Sequence, residues 1–202
     1  MNLIDKSITE YINDVDSHTP TPGGGSVAAL VGALGVSLAK MLGHFSFDKK
    51  KFKEANEKDK EKFVIAFDQL NYYKELLIQG IDEDAISYEA VTLAFKSKDE
   101  IEIQKALNAS AMIAFEMQEG AYKALKSISK LVELGNKNLY SDLISSAILL
   151  NSCVEMASLN VVANATMLND ESIKNNYLTS TVDIVKKAKT IKNKLIKAIQ
   201  SK

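Results

Sequence analysis

Tryptophan is absent from this chain of 202 residues, and cysteine, proline and histidine are scarce. The single cysteine, Cys153, excludes an internal disulfide, and with only two histidines the chain has few of the ligands that zinc prefers. The sequence therefore predicts no metal site and a buried thiol at Cys153. Since 25 lysines and arginines are balanced by 26 acids, no broad basic surface for nucleic acid is expected.

The amino-terminal residues, MNLIDK, show no apolar core of signal-peptide length and carry an acid early. This composition favours a cytoplasmic protein. The most apolar run, from Val27 to Leu42, contains Ser37 and Lys40. It falls short of the roughly 18 uninterrupted apolar residues typical of a membrane helix. We expect a buried helix there and no membrane partner.

Both prolines lie at positions 20 and 22, and only three glycines follow Gly43. About 180 residues therefore run almost without turn-forming residues, which indicates long helices. No segment keeps the period-two alternation of a strand. The predicted helices are 3–15, 26–47, 49–79, 82–95, 99–134, 139–168 and 170–200, with Gly80 as the end of the third. The fold class expected is all-α, a single domain over residues 1–202 that forms an antiparallel helical bundle.

Two predicted helices, 26–47 and 139–168, are apolar nearly all round. A bundle of this size can accommodate such helices only if they are central or if they pack against a second subunit. In the first of them small residues recur at positions 28, 32, 35, 39 and 43, which lets another helix backbone come close. We predict that both helices are central and that the protein is a symmetric homodimer.

The most concentrated motif is PTPGGGS at residues 20–26, directly before the first apolar helix. Glycines let a ligand or another backbone approach closely, and a helix starting at Ser26 would offer unpaired N–H groups to an anion. The alternative is a tight turn with Ser26 as the helix cap. The motif is not a dinucleotide fingerprint, because no strand precedes it, and it is not a P-loop, because no Gly-Lys-Ser/Thr ends it.

Polar residues interrupt the second apolar helix. An unpaired buried polar group costs about 1–3 kcal/mol, so Asp142, Asn160 and Asn164 are candidates for a site. They lie close to one stripe of the helix, yet Asp142 and Asn160 would be roughly 27 Å apart along its axis. A shared site would need a long ligand or a second subunit. Alternatively, Asp142 complements the helix dipole and the asparagines bond to neighbouring helices.

A second acidic stretch, DED at residues 82–84, stands at the predicted start of a helix. Asp84 and Tyr88 are one turn apart on one face, and Asp82 lies where an N-cap belongs. Since helix starts are often acidic, the pattern alone favours a structural role over a catalytic one.

Three segments together resemble the cyclodeaminase domain of formiminotransferase-cyclodeaminase and the related free-standing methenyltetrahydrofolate cyclohydrolases. They are TPTPGGGSVAAL at residues 19–30, IDEDAISY at 81–88 and GNKNLYSD at 135–142. NVVAN at residues 160–164 follows where the family has a late Asn-Val pair. The chain departs from the family at Asp48, where a glycine is usual, and in lacking prolines near Ser97 and Ala114.

The resemblance implies an all-helical dimer that binds a reduced folate in a groove, with no cofactor or metal beyond the tetrahydrofolate substrate. In the cyclodeaminase reaction N10 attacks the formimino carbon on N5, and ammonia leaves to give 5,10-methenyltetrahydrofolate. In the cyclohydrolase reaction water attacks the methenyl carbon, and the ring opens to 10-formyltetrahydrofolate. The resemblance does not separate the two reactions. A non-catalytic folate-binding dimer is the alternative from a different class.

A carboxylate suits both reactions, because it can accept the proton of N10 or water and stabilise the cationic amidinium. Asp142 is the first candidate for this role, followed by Asp82 and Asp84. The glycine turn and Ser26 would bind the folate through backbone N–H groups. Two lysines that match a basic pair in the family would either meet its glutamate tail or form a solvated basic run. The predicted substrate-binding residues are Pro22, Gly23, Gly24, Gly25, Ser26, Tyr88, Asn136, Ser141, Asn160, Asn164, Lys49 and Lys50.

Overall fold

The computed structural model describes residues 2–201, and all regular structure in that range is helical. The all-α prediction is therefore confirmed. Single 3-10 turns, Leu3–Asp5 and Lys137–Leu139, precede the first and the sixth α-helix. The α-helices are α1 Ile8–Val15, α2 Gly24–His44, α3 Lys50–Lys53, α4 Glu57–Ser97, α5 Glu100–Ser129, α6 Tyr140–Ala165 and α7 Glu171–Gln200.

The amino-terminal segment forms a 3-10 turn followed by α1, where the sequence predicted one helix from residue 3. The break lies at Ser7, whose hydroxyl oxygen accepts the N–H of Glu10 while the Glu10 carboxylate accepts the N–H of Ser7. This reciprocal capping box fixes the start of α1. Within α1 the buried residue is Tyr11, so one side chain anchors this helix to the bundle.

Helix α2 starts at Gly24, two residues before the predicted start, with Gly23 in the extended N-cap position. The peptide bond between Thr21 and Pro22 is cis. Ser26 is therefore not the N-cap. It lies in the first turn of the helix and is fully buried.

Helix α4 is continuous over 41 residues, where the sequence predicted two helices separated at Gly80. Gly80 faces α5, and a Cβ atom built on it would lie 2.6 Å from Met117 Sδ. This glycine allows close packing and does not end a helix. Helix α4 begins after Asn56, whose side chain accepts the N–H of Asp59, and it ends at Lys98 in the left-handed conformation with φ 61°.

The last three predicted helices are present as α5, α6 and α7 with somewhat shorter bounds. Asp99 caps α5 and Asp170 caps α7, each by accepting two N–H groups of the first turn. An aspartate in the N-cap position satisfies donors that the helix itself leaves unpaired. The starts of both helices were therefore predicted to within one residue.

The helices pack as an antiparallel bundle with α2 and α6 at its centre. Helix α2 contacts α4 and α6, while α6 also contacts α5 and α7. Gly25 of α2 approaches Asn160 of α6, Gly32 approaches Cys153, and Gly35 approaches the side chain of Leu149 and the main chain of Ser146. Residue numbers thus rise along α2 as they fall along α6, and the small residues of α2 allow the close approach that their spacing predicts.

By length and composition alone, α2 and the segment Lys137–Ala165 could each cross a membrane. Their most apolar windows are 56% and 50% buried inside the protein, and core helices of soluble proteins pass the same test. Their inner faces form the core. On the outer faces several large apolar side chains stay exposed, among them Leu34, Ile148 and Leu159.

Candidate active site

A pocket of about 290 Å³ lies where the start of α2 meets α4, α5 and the end of α6. Its volume is at the lower end of the range of small-molecule sites. The glycine turn forms one side, and side chains of three helices form the others. The lining residues are Pro20, Thr21, Gly23, Gly24, Gly25, Asp84, Tyr88, Val91, Ser110, Asn160, Ala163 and Asn164.

Asp84 extends from α4 to the first turn of α2. Its Oδ2 accepts the N–H of Ser26 over 2.9 Å. The first N–H groups of a helix have no acceptor within the helix. The Asp84 carboxylate therefore takes the place that an N-cap side chain usually fills, although it comes from a position 58 residues away in the chain.

Burial raises the pKa of Asp84 above its ordinary value, and the hydrogen bond from Ser26 opposes this rise without cancelling it. Among the described residues that line the pocket, Asp84 is the one carboxylate, and none carries a positive charge. A carboxyl group whose pKa is raised is better matched to proton transfer near neutral pH than an ordinary aspartate. The pocket therefore holds one group suited to acid–base chemistry.

Gly25 makes this arrangement possible, because a side chain there would occupy the space of two pocket groups. A Cβ atom built on Gly25 would lie 1.9 Å from Asp84 Oδ1 and 2.7 Å from Asn160 Nδ2. The sequence predicted that a ligand or another backbone would approach the glycine turn closely. In the structure, the side chains of Asp84 and Asn160 make this close approach. Gly24 differs, since a Cβ atom there would meet nothing within 4 Å.

A chain of polar groups continues from Asp84 around the pocket. Ser87 Oγ donates to the main-chain carbonyl of Asp84 over 2.9 Å and lies 3.2 Å from Ser110 Oγ. Asn164 Nδ2 donates to Ser110 Oγ and to the carbonyl of Asn160, each over 3.1 Å. These bonds connect α4, α5 and α6, so the polar side chains of the pocket are held by the helices that carry them.

The structure brings together predicted site residues from three separate segments. The ones that line the pocket are Gly23, Gly24, Gly25, Asp84, Tyr88, Asn160 and Asn164. Pro22 and Ser26 are both buried and stand directly behind the lining of the glycine turn. The turn, the second acidic stretch and the late asparagines therefore meet in space.

Asp82 does not line this pocket. Its carboxylate accepts the N–H of Leu3 and so ties the amino-terminal turn to α4. Asp82 is not an N-cap either, because α4 is continuous through residue 82. Asp82 therefore makes a structural contact and does not touch the pocket.

The remaining predicted site residues lie at the opposite end of the bundle. Asp142 is in the first turn of α6, and the 18 residue steps from it to Asn160 span about 27 Å at roughly 1.5 Å per residue. The N–H of Asn136 donates to Ser46 Oγ over 2.9 Å, just beyond the end of α2. Exposed neighbours at this end are Ser141, Lys49 and Lys50. One subunit does not bring these residues to Asp84.

Several pocket residues were missed by the sequence analysis, among them Thr21, Val91 and Ser110. Ser110 lies in the alanine-rich part of α5, where a single serine carries no distinguishing pattern. Its role depends on the packing of α5 against α4 and α6. No signal in the sequence could have identified it.

A larger cavity of about 600 Å³ lies between the amino-terminal segment, α2 and α4. Its lining is mostly aliphatic, with side chains such as Ile8, Ile12 and Leu30, so it offers few polar groups for acid–base chemistry. Between residues 2 and 201 no group of three or more His, Cys, Asp or Glu side chains is arranged to hold a metal ion. The smaller pocket is therefore the candidate active site.

Comparison with known proteins matches most of the chain to one family. The family model described as Formiminotransferase-cyclodeaminase matches residues 7–183. Among curated relatives, the Formimidoyltransferase-cyclodeaminase of Rattus norvegicus is 25% identical over 198 residues, which are 94% of this chain and 36% of the relative. The chain thus spans about a third of the length of that relative.

Two further proteins match over almost their whole length. The Methenyltetrahydrofolate cyclohydrolase of Methylorubrum extorquens is 25% identical, with 98% of this chain and 97% of the relative covered. The crystal structure of formiminotetrahydrofolate cyclodeaminase from Thermotoga maritima has a TM-score of 0.88 at 26% identity, with 98% and 97% of the two chains covered. The helical fold is therefore shared with a solved structure.

Proposed function

Because the chain belongs to the formiminotransferase-cyclodeaminase family, we propose that it is a formiminotetrahydrofolate cyclodeaminase acting at the N5–N10 bridge of tetrahydrofolate. The family match over residues 7–183 and the likeness to the Thermotoga maritima cyclodeaminase support this proposal. The observation that carries it is the Asp84 carboxyl group, whose pKa is raised, in a pocket beside the glycine turn.

Asp84 would move the proton that the cyclodeaminase reaction transfers between two nitrogens. N10 attacks the formiminium carbon on N5, which gives a tetrahedral carbon bonded to three nitrogens. Asp84 accepts the proton of N10 and delivers it to the exocyclic nitrogen, whose bond to carbon then breaks to release ammonia. The ionised carboxylate stabilises the remaining cation, 5,10-methenyltetrahydrofolate, by its opposite charge. This chemistry requires no cofactor beyond the folate.

The other polar groups of the pocket would orient the folate. Gly24 and Gly25 lie in the first turn of α2, where N–H groups have no acceptor within the helix. The amides of Asn160 and Asn164 offer further donors and acceptors. Tyr88 is 45% exposed and lies at the edge of the pocket, where its ring can stack on a flat heterocycle.

Methenyltetrahydrofolate cyclohydrolase is the second candidate function. The observation that favours it is the match to the Methylorubrum extorquens cyclohydrolase, which covers nearly all of both chains. In this reaction Asp84 would accept a proton from the water that attacks the methenyl carbon. It would then return the proton to N5 as the bond between N5 and that carbon breaks, while the hydroxyl group on the carbon loses its proton to solvent and becomes the carbonyl of 10-formyltetrahydrofolate. One carboxyl group serves both reactions.

We also propose that the chain forms a homodimer. Support comes from the apolar outer faces of α2 and α6, where Leu34 is 53% exposed and Leu159 is 70% exposed. The residues around Asp142 lie too far away to reach the pocket of their own subunit. In a dimer, Asp142, Lys49 and Lys50 of one subunit could meet the folate bound by the other.

An absorbance assay tests the enzymatic proposal, because methenyltetrahydrofolate absorbs in the near ultraviolet. We expect purified protein to generate this absorbance from 5-formiminotetrahydrofolate faster than the uncatalysed reaction. Consumption of methenyltetrahydrofolate without activity on the formimino compound would identify the cyclohydrolase. If neither occurs while calorimetry still detects folate binding, the protein is a non-catalytic folate-binding module and both enzymatic functions are refuted.

The variant Asp84→Asn tests which acid moves the proton. General acid–base groups contribute about 10²–10⁴-fold to rates, so kcat should fall by a factor in that range. The protein should stay folded, because an amide oxygen still accepts the Ser26 N–H. Asp142→Asn is the comparison: loss of a contact between Asp142 and the folate of the other subunit should raise KM and leave kcat near the wild-type value. An inactive Asp142→Asn beside an active Asp84→Asn would assign the role to Asp142.

A further inference from the structure

Tyr11 connects the amino-terminal helix to the start of α2. Its hydroxyl oxygen lies 2.8 Å from Ser26 Oγ, and the two residues are 7% and 0% exposed. The phenol ring packs with the core residues of the bundle, and its hydroxyl group meets a buried polar group. Buried hydroxyl groups that lose such a partner are costly to leave unpaired.

Ser26 makes hydrogen bonds through both its hydroxyl group and its main-chain N–H group. Its hydroxyl pairs with Tyr11, while its N–H donates to Asp84 Oδ2 over 2.9 Å. Residues of α1, α2 and α4 thus form one connected series, in which Tyr11 holds Ser26 and Ser26 holds Asp84. The series is buried at Tyr11 and reaches the candidate active site at Asp84.

We propose that Tyr11 is a positioning residue for Asp84 and acts through Ser26. Tyr11 does not line the candidate active site, so its effect on the reaction is indirect. The inference rests on the proposed function, because that function gives Asp84 its role in proton transfer. The two hydrogen bonds, from Tyr11 to Ser26 and from Ser26 to Asp84, are the evidence for the connection itself.

The ionisable groups near Asp84 come from α1 and α4. Burial raises the pKa of Tyr11, the Ser26 hydrogen bond opposes this rise, and the charges of Asp84 and Asp82 add to it. Tyr11 therefore keeps its proton while Asp84 ionises. Tyr88 of α4 lines the same pocket, while α2, α5 and α6 contribute only groups that do not titrate. Among the groups that line the pocket, a change of titration at acidic to neutral pH thus reports on Asp84.

Tyr11→Phe tests the connection by removing one hydroxyl group and keeping the ring. Without its partner, Ser26 holds its N–H less firmly against Asp84. Because this N–H bond lowers the pKa of Asp84, weakening it should move the titration of Asp84 to higher pH. We expect the acid limb of the kcat profile to move in the same direction. The fall in kcat should be smaller than the roughly 10²-fold cost of a 1 Å displacement, with KM little changed.

Tyr140→Phe is the matched control for a purely structural effect. The Tyr140 hydroxyl donates to the carbonyl of Val132 over 2.8 Å, and the residue is 8% exposed. It lies at the end of α6 that is remote from Asp84. Both variants lose one buried tyrosine hydrogen bond, so both should lower the Tm to a similar degree. Only Tyr11→Phe should move the pH profile.

Carbon-13 NMR of the aspartate carboxyl groups measures the same change in the titration of Asp84 without an activity assay. The Asp84 signal, identified by its loss in Asp84→Asn, should titrate at higher pH in Tyr11→Phe than in the wild type. In a Ser26→Ala background, Tyr11→Phe should add no further shift. An unchanged Asp84 titration in Tyr11→Phe, or an equal shift in Tyr140→Phe, overturns the positioning role. A shifted titration in a protein inactive on both folates would support that role while refuting the proposed function.

Discussion

At the scale of single residues, the position of Asp84 depends most directly on Gly25. A methyl group on Gly25 would occupy the place of the Asp84 carboxylate and of the Asn160 amide. Gly25→Ala should therefore push the carboxylate away from the Ser26 N–H. Misplacing a catalytic group by about 1 Å costs on the order of 10²-fold in rate, and we expect a loss of that size in kcat measured with the folate assay.

Gly24→Ala is the comparison for this prediction, because its methyl group would meet nothing within 4 Å. This variant should keep the Asp84 titration of the wild type, whereas Gly25→Ala should change it. If Gly25→Ala kept both the activity and the Asp84 titration, the dependence of the site on this glycine would be wrong.

The sequence identified much of the pocket, but its first candidate acid, Asp142, lies at the other end of the bundle. The glycine turn, Asp84 and the late asparagines were each marked by an unusual local pattern, and they meet in the pocket. The first candidate acid, Asp142, rests on the family resemblance, and it also shares a helical stripe with Asn160, yet a stripe on one helix can span its whole length. Tyr11 and Ser110 were missed, since their contacts join distant parts of the chain and leave no local pattern.

At the scale of elements, glycine marks close helix packing as well as turns in this protein. The sequence predicts a helix end at Gly80, because glycine commonly follows a helix. In the structure it faces Met117 within a continuous α4. The sequence alone does not distinguish a glycine that ends a helix from one that allows a neighbouring helix to pack closely. The boundary of α4 therefore could not be predicted without the position of α5.

Substitution of Gly35 tests whether glycines allow the close approach of α2 and α6. A Cβ atom on Gly35 would lie 3.1 Å from Leu149 Cβ, 3.1 Å from Leu150 Cγ and 3.2 Å from the carbonyl oxygen of Ser146. Alanine inside a helix gains up to about 1 kcal/mol over glycine, but overpacking costs about 1–3 kcal/mol. Because the atoms around Gly35 are held by the backbone of α6, we expect Gly35→Ala to lower the free energy of unfolding in urea.

The control for this second alanine substitution is again Gly24→Ala, whose methyl group has open space around it. That variant should be at least as stable as the wild type. A rise in the stability of Gly35→Ala would show that α2 and α6 can separate by a few tenths of an ångström without loss.

At the scale of the whole molecule, the outer faces of α2 and α6 predict self-association. We expect sedimentation analysis to give a species of twice the 22.2 kDa chain mass. Leu159→Lys should shift this species toward monomer, because it places a charge where an apolar side chain is 70% exposed. Leu93→Lys is the control, since Leu93 is similarly exposed at 65% but lies on α4. A wild-type protein that stays monomeric at all concentrations would refute the homodimer.

The overall architecture could be predicted because the chain has so few turn-forming residues. Its scarcity of proline and glycine indicated helices, and their order along the chain is the order found. An apolar helix at the centre of a bundle and one that packs against another subunit show the same pattern in a sequence. Helices α2 and α6 show this ambiguity directly, with one face of each in the core and another face exposed.

The carboxylate at the start of α2 has a consequence for which ligands the pocket can accept. A helix that begins beneath a glycine-rich turn commonly collects an anion from solution. Here Asp84 already occupies that position, so the protein supplies its own internal counterion. A phosphate would meet a like charge and a donor that is taken, whereas an amidinium would form an ion pair on arrival. We therefore expect a turn that in other folds selects anions to favour a cationic group in this protein.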